Sequence, residues 1–185
     1  RVAAMGEQLG VLTALYLIVY VAWGASLVVL SLALHERLRG ETSALARIAT
    51  AFGLIWAVLV IASGMIYNVG MQTVVALSET AAEQAATVWL AVEVVFEGLG
   101  GGVEVVGGIW VLLLSVVGLR DGLLSRPFSL FGFLVGAAGL LSVVPALSEI
   151  TVSVFGLTQI VWFVWLGIIM LRRPAPVTAA APERA

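Results

Sequence analysis

The chain has 185 residues and a formal net charge of −2, and 62% of it is hydrophobic against 11% charged, at a mean hydropathy of +1.14. Water-soluble domains run at roughly 45–50% apolar and 25% charged, so this is a membrane chain, and at about 20 residues per crossing five or six helices leave no room for a soluble domain. Zero cysteines and the single His35 exclude disulfides, thiolate metal sites, cysteine nucleophiles and bis-histidine haem, while the absence of lysine removes Schiff-base chemistry and the lack of clustered cations removes a nucleic-acid partner.

The apolar runs predict an all-α fold, a polytopic transmembrane bundle of five helices over about 9–34, 48–78, 87–119, 128–147 and 150–171. Together they make one transmembrane domain, 1–171, followed by a disordered cytoplasmic tail, 172–185. The first run, Leu9 to Leu34, carries Tyr16, Tyr20 and Trp23 but no charge, and it is too long for the apolar core of a signal peptide. The polar segment His35 to Arg47 holds three arginines and Gly40, a helix stop. It belongs in the cytoplasm by the positive-inside rule.

Ile48 to Ser78 is overlong for one crossing and implies tilt or projection. Gly64, Asn68 and Gln72 recur on one of its faces, four residues apart. The loop Glu79 to Ala86 has two acids and no base, so it faces outward. The third helix starts near Thr87, offers Trp89 to an interfacial belt and ends at Arg120.

Within that third run the stretch Val92 to Gly108 places Glu93, Glu97 and Glu104 in an apolar context. At 100° per residue a continuous helix keeps the three within about 40° of one another, as one acidic stripe. The glycines of Gly98 to Gly102 read either as unwinding, as in transporters with broken helices, or as close packing. Packing is the preferred reading.

Arg120, Asp121, Gly122, Arg126 and Pro127 form a basic cytoplasmic turn before the fourth helix. Its Gly132, Gly136 and Gly139 make a small-residue stripe suited to packing within the chain, and Pro145 loosens its far end. The fifth helix has Gln159 near mid-depth, then Trp162, Phe163 and Trp165, then Arg172 and Arg173 as anchors. Eight of nine arginines fall on one side of this arrangement, which predicts the N-terminus outside and the C-terminus inside.

The run from Gly107 to Pro145 resembles a bacterial family of small multi-pass membrane proteins known only as a domain of unknown function. Leu119, Arg120, Gly122, Leu124, Arg126 and Pro145 carry the resemblance. It implies a multi-pass protein of the bacterial inner membrane, and it brings no activity and no functional residue.

A carboxylate at bilayer depth costs about 2.5–3.5 kcal/mol, and no arginine lies at matching depth to neutralise these three. Protonation, a bound cation, water or a partner subunit remains. The expected ligand is a cation, a proton or a cationic small molecule, held by Glu93, Glu97 and Glu104, with Asn68, Gln72 and Gln159 as neutral partners and Tyr67 and Trp89 adding cation–π attraction. A hard metal ion, if any, would take the three glutamates. No cofactor is expected, and no His-Glu-x-x-His, intramembrane Asp pair or Gly-x-Ser-x-Gly points to an enzyme. The alternative is a non-catalytic accessory subunit whose acidic stripe docks another membrane protein or a second copy of this chain.

Overall fold

The computed structural model describes residues 6–38, 43–122 and 124–172, and it is helical with no strand among them. The six helices are α1, Leu9–Arg37; α2, Ser43–Ser78; α3, Ala82–Phe96; α4, Val105–Arg120; α5, Arg126–Leu141; and α6, Ser148–Arg172. Helices α3 and α4 are two halves of one span, so five helical segments run back and forth. Four of the five, Leu9–Arg37, Ala44–Ser78, Ala82–Arg120 and Ser148–Arg172, are long and apolar enough to cross a membrane. The fifth, α5, is shorter and is wedged into the bundle, with Phe128, Val135, Ala138 and three glycines buried.

Most helix ends lie beyond those expected, because polar residues that end an apolar run do not end a helix, and the far end of α5 is the exception. α1 continues through His35 and Arg37, and α2 begins at Ser43 rather than at 48. Arg, Glu, Ala and Leu are all good helix formers. His35 Nδ1 and Thr50 Oγ1 lie 3.1 Å apart across the two helices. α3 begins at Ala82, with Glu83 in its first turn, where an acid complements the helix dipole. α5 stops early, at Leu141, and Ser142–Leu147 form turns closed by Val144 N–H to Leu141 O (3.0 Å) and Leu147 N–H to Val144 O (2.9 Å). Pro145 has no N–H to continue a helix. Arg1, Gly40 and the 173–185 tail lie outside the described residues.

The exposed apolar side chains define a lipid-facing belt. The outermost large ones are Val11 and Leu32 on α1, Ile48 and Val69 on α2, and Ile150 and Leu171 on α6. Each pair brackets about 31 Å of helix at 1.5 Å per residue, which matches a hydrocarbon core of about 30 Å. Beyond Val69 the α2 surface turns to Gln72 and Thr73, both exposed.

Two hydrophobic cores lie inside the belt. The smaller, at the α2–α3 end, is built on Met71, Val74, Ala85 and Trp89. The larger one contains Leu27, Trp56, Trp110, Phe128, Phe155 and Trp162. Helices α4 and α5 approach backbone to backbone within it. A Cβ on Gly108 would lie 2.8 Å from the Gly136 carbonyl oxygen, and one on Gly139 would lie 2.7 Å from the Gly108 Cα. The glycine stripe of α5 therefore packs within the chain. Helix α6 reaches α2 and α4 through rings instead, with centroids 5.5 Å apart for Trp110 and Trp162 and 6.2 Å for Trp56 and Phe155.

Candidate functional site

The third span is broken, and the break builds the site. A π-helical turn, Glu97–Gly101, follows α3 and contains Gly100 at φ 117°, ψ 18°. That region is reserved for glycine because a Cβ would clash with its own backbone. Gly102 N–H and Val103 N–H both turn back to the Glu97 carbonyl, at 3.3 and 3.0 Å, and the helix resumes at Val105 with Glu104 as its capping residue. The preference for simple packing at Gly98 to Gly102 is thus corrected: four of the five residues are glycine, the poorest helix former after proline, and the helical path is lost.

The continuous acidic stripe is lost with it. Gly70 of α2 abuts Val92 of α3, so Glu93 sits level with the Val69 edge of the belt, half-buried, and Glu97 is exposed one turn deeper. Glu104 lies on the other side of the break. Its backbone N–H donates to Ser142 Oγ at 2.8 Å, and the Ser142 hydroxyl donates to the Gly139 carbonyl at 2.7 Å. Trp56 Nε1 donates to Glu104 Oε2 at 3.2 Å. The indole is itself fixed, 2% exposed, laid over Gly107, where a Cβ would meet the ring at 2.6 Å, and flanked by Trp23 and Trp110 at centroid distances of 6.1 and 5.6 Å.

Glu104 opens into a cavity of about 140 Å³ walled by Tyr20, Trp23, Trp56, Gln159 and the backbone of Gly100 and Gly101. None of its lining residues is basic. Gln159 Oε1 is buried without a hydrogen-bond partner. Counted along the helices from Val11, Val69 and Ile150, the positions Tyr20, Trp23, Trp56 and Gln159 lie about 13–20 Å from that edge of the belt, around its midplane. A carboxylate there sits at the end of a half-helix whose first-turn N–H groups present positive charge, accepts one indole hydrogen bond, and faces aromatic rings that attract cations.

Of the residues singled out in the sequence, only Glu104 and Gln159 meet in this cavity. Tyr67 belongs to a neighbouring ring cluster, with centroids 4.3 Å from Tyr16, 5.0 Å from Trp89 and 4.5 Å from Phe96. Phe96 in turn touches Tyr20 at 5.2 Å. Asn68 is buried with neither amide atom hydrogen-bonded to protein, and Gln72 is exposed, so these amides do not answer the acids. Among the described residues no three acids or histidines converge on a metal position, because the break separates Glu104 from Glu93 and Glu97.

Tyr20, Trp23, Trp56 and Ser142 are the site residues that sequence reasoning passed over. One signal was available: Tyr20 and Trp23 are three apart, on one helix face, and sit in the middle of an apolar run rather than at its ends, where interfacial aromatics belong. Comparison of the chain with models of protein families, with curated proteins and with solved structures finds no match to any of them.

Proposed function

We propose that this integral membrane protein binds a small organic cation of the alkylammonium class at the bilayer midplane, and that binding serves transport. The observation that carries the reading is the Glu104 carboxylate, oriented by Trp56, in a cavity walled by Tyr20, Trp23 and Trp56 with no basic side chain. Aromatic walls around a desolvated cation contribute about 2 kcal/mol or more, and the carboxylate supplies the counter-charge. The volume of 140 Å³ is below the roughly 300–1,000 Å³ of drug-sized pockets, which suits a compact head group. A discontinuous helix at mid-depth supports transport by its likeness in design to carriers whose broken helices line the substrate site. We place the N-terminus outside and the C-terminus inside from the arginine distribution, in a bacterial inner membrane by the resemblance over Gly107 to Pro145.

The test is tetramethylammonium binding to the protein in nanodiscs free of choline lipids, followed by titration calorimetry and by tryptophan fluorescence, since Trp23 and Trp56 line the cavity. Glu104→Gln keeps the side-chain shape and an oxygen for Trp56 Nε1 while removing the charge, and we expect it to weaken binding at least tenfold. Absence of binding to the wild-type protein, or equal affinity in Glu104→Gln, sinks the proposal. A second reading, docking of a membrane partner, draws on exposed Glu97 beside Gly98, whose Cβ position meets open space. Native mass measurement that finds only a monomer without co-purifying protein counts against it.

A further inference from the structure

A groove of about 410 Å³ runs between α1 and α6, lined by Trp23, Leu27, Leu30, Ile160, Phe163 and Val164. The one hydroxyl on its wall, Ser26, is already spent on the Ala22 carbonyl at 2.9 Å. Two contacts join helices α1 and α6 beside the groove. Trp23 and Phe163 stand edge to face with centroids 5.3 Å apart, and Arg37 Nη1 donates to the Met170 carbonyl at 2.7 Å. The Trp23–Phe163 contact is part of the groove wall, the Arg37 contact lies beyond it toward the ends of both helices, and Ile160 and Val164 are exposed on its open side.

Trp23 belongs to both spaces. It lines both the Glu104 cavity and the groove, while on α6 the successive residues Gln159 and Ile160 divide between the two. The residue order is parallel on both helices, Tyr20 to Leu30 and Gln159 to Val164, so the polar chamber near mid-depth and the apolar groove adjoin at Trp23.

We infer that the ligand is a single-chain cationic amphiphile, its alkylammonium head in the Glu104 cavity and its alkyl chain in the α1–α6 groove, entering sideways from the bilayer. This rests on the cation reading of the cavity. From Trp23 to Leu30 the groove extends about 10 Å by helical rise, room for one medium-length chain. A phosphocholine lipid is disfavoured by charge, because its phosphate would follow its ammonium group into the carboxylate chamber, where no arginine is available to receive it. Lipid tails are as apolar as the groove, so the groove gives little affinity by itself. It gives access and selectivity, and the head supplies the binding.

Decyltrimethylammonium, tetramethylammonium and decyl sulfate, each titrated into the full chain in phosphatidylglycerol nanodiscs, distinguish the possibilities. Val164→Trp and Ser26→Phe fill the groove from exposed positions, where a larger side chain meets lipid and leaves the fold intact. Each is expected to weaken decyltrimethylammonium at least tenfold and to leave tetramethylammonium within twofold of wild type, with decyl sulfate not binding. Unchanged decyltrimethylammonium affinity in both variants, or competition by decyl sulfate, overturns the amphiphile inference while the cavity reading stands. Loss of tetramethylammonium together with the long-chain ligand also overturns it, since the groove would then be only a support for the cavity. If Glu104→Gln leaves both cations bound as before, the cavity reading itself fails.

Discussion

Gly98 and Gly100 offer a controlled comparison of what the break requires. A Cβ added at either would meet nothing within 4 Å, so neither methyl group clashes, although Gly98 is exposed and Gly100 is buried on the cavity wall, and the backbone torsion is what sets their cost apart. Gly100 stands at φ 117°, and the one other positive-φ residue among those described is Gly122. An alanine at position 100 carries a strained conformation, about 1–3 kcal/mol, whereas Gly98→Ala reduces the freedom of the unfolded chain and stabilises by about 0.4–1 kcal/mol where the backbone is compatible. The two variants should therefore separate by about 1.5–4 kcal/mol, a factor of about 10 to 1,000 in the unfolding equilibrium. Denaturation in mixed micelles with increasing dodecyl sulfate, read by tryptophan fluorescence, measures the difference directly. Tetramethylammonium affinity of the folded Gly100→Ala protein should also fall, because relief of the strain by straightening the helix turns Glu104 away from Trp56. Equal or greater stability of Gly100→Ala relative to Gly98→Ala would refute a glycine-dependent break.

Gly139→Val forces a side chain against the Gly108 Cα at 2.7 Å and the Glu104 carbonyl at 2.9 Å, and overpacking of that kind costs about 1–3 kcal/mol or more. Gly156→Val, with open space around it, is the matched control in the same titration. Arg37→Gln removes a charged donor from the Met170 carbonyl and should lower stability by about 1–3 kcal/mol, with faster exchange of spin labels between the α1 and α6 ends as the accompanying readout. Reporter fusions test orientation: a fusion after Leu77 should report from outside and one after Arg173 from the cytoplasm, and the reverse pattern refutes the arginine argument.

The helical architecture was readable because long apolar runs are separated by charges and turn residues, and membrane helices satisfy their own backbones. What the runs do not encode is where polar flanks stop being helical, which is why α1, α2 and α3 extend past their apolar limits. Glu104 was conspicuous as a carboxylate in an apolar setting, and Gln159 as an amide at mid-depth. Their partners were not conspicuous. Trp56 lies 48 positions from Glu104, Ser142 lies 38, and both are ordinary residues of apolar helices until the fold brings them together. The glycine run was ambiguous because its composition is compatible with tight packing and with unwinding alike, and only the torsion at Gly100 separates them. Reading the span as continuous then carried Glu93 and Glu97 into a site they do not share.

A split rod invites bending, but this one is splinted. Helix α2 runs unbroken from Ser43 to Ser78 alongside both pieces. Its Gly70 is pressed against Val92 of α3, at 2.5 Å from a Cβ position to Val92 Cγ1, and its Trp56 lies flat on Gly107 of α4. Any swing of α3 about the glycine segment has to slide Val92 over Gly70 or lift the indole from α4. The break is therefore a cast rather than a jaw: the side of the chamber formed by α2 and the two half-helices is shaped before a guest arrives, and the order already built into that wall lowers the entropy that binding must give up.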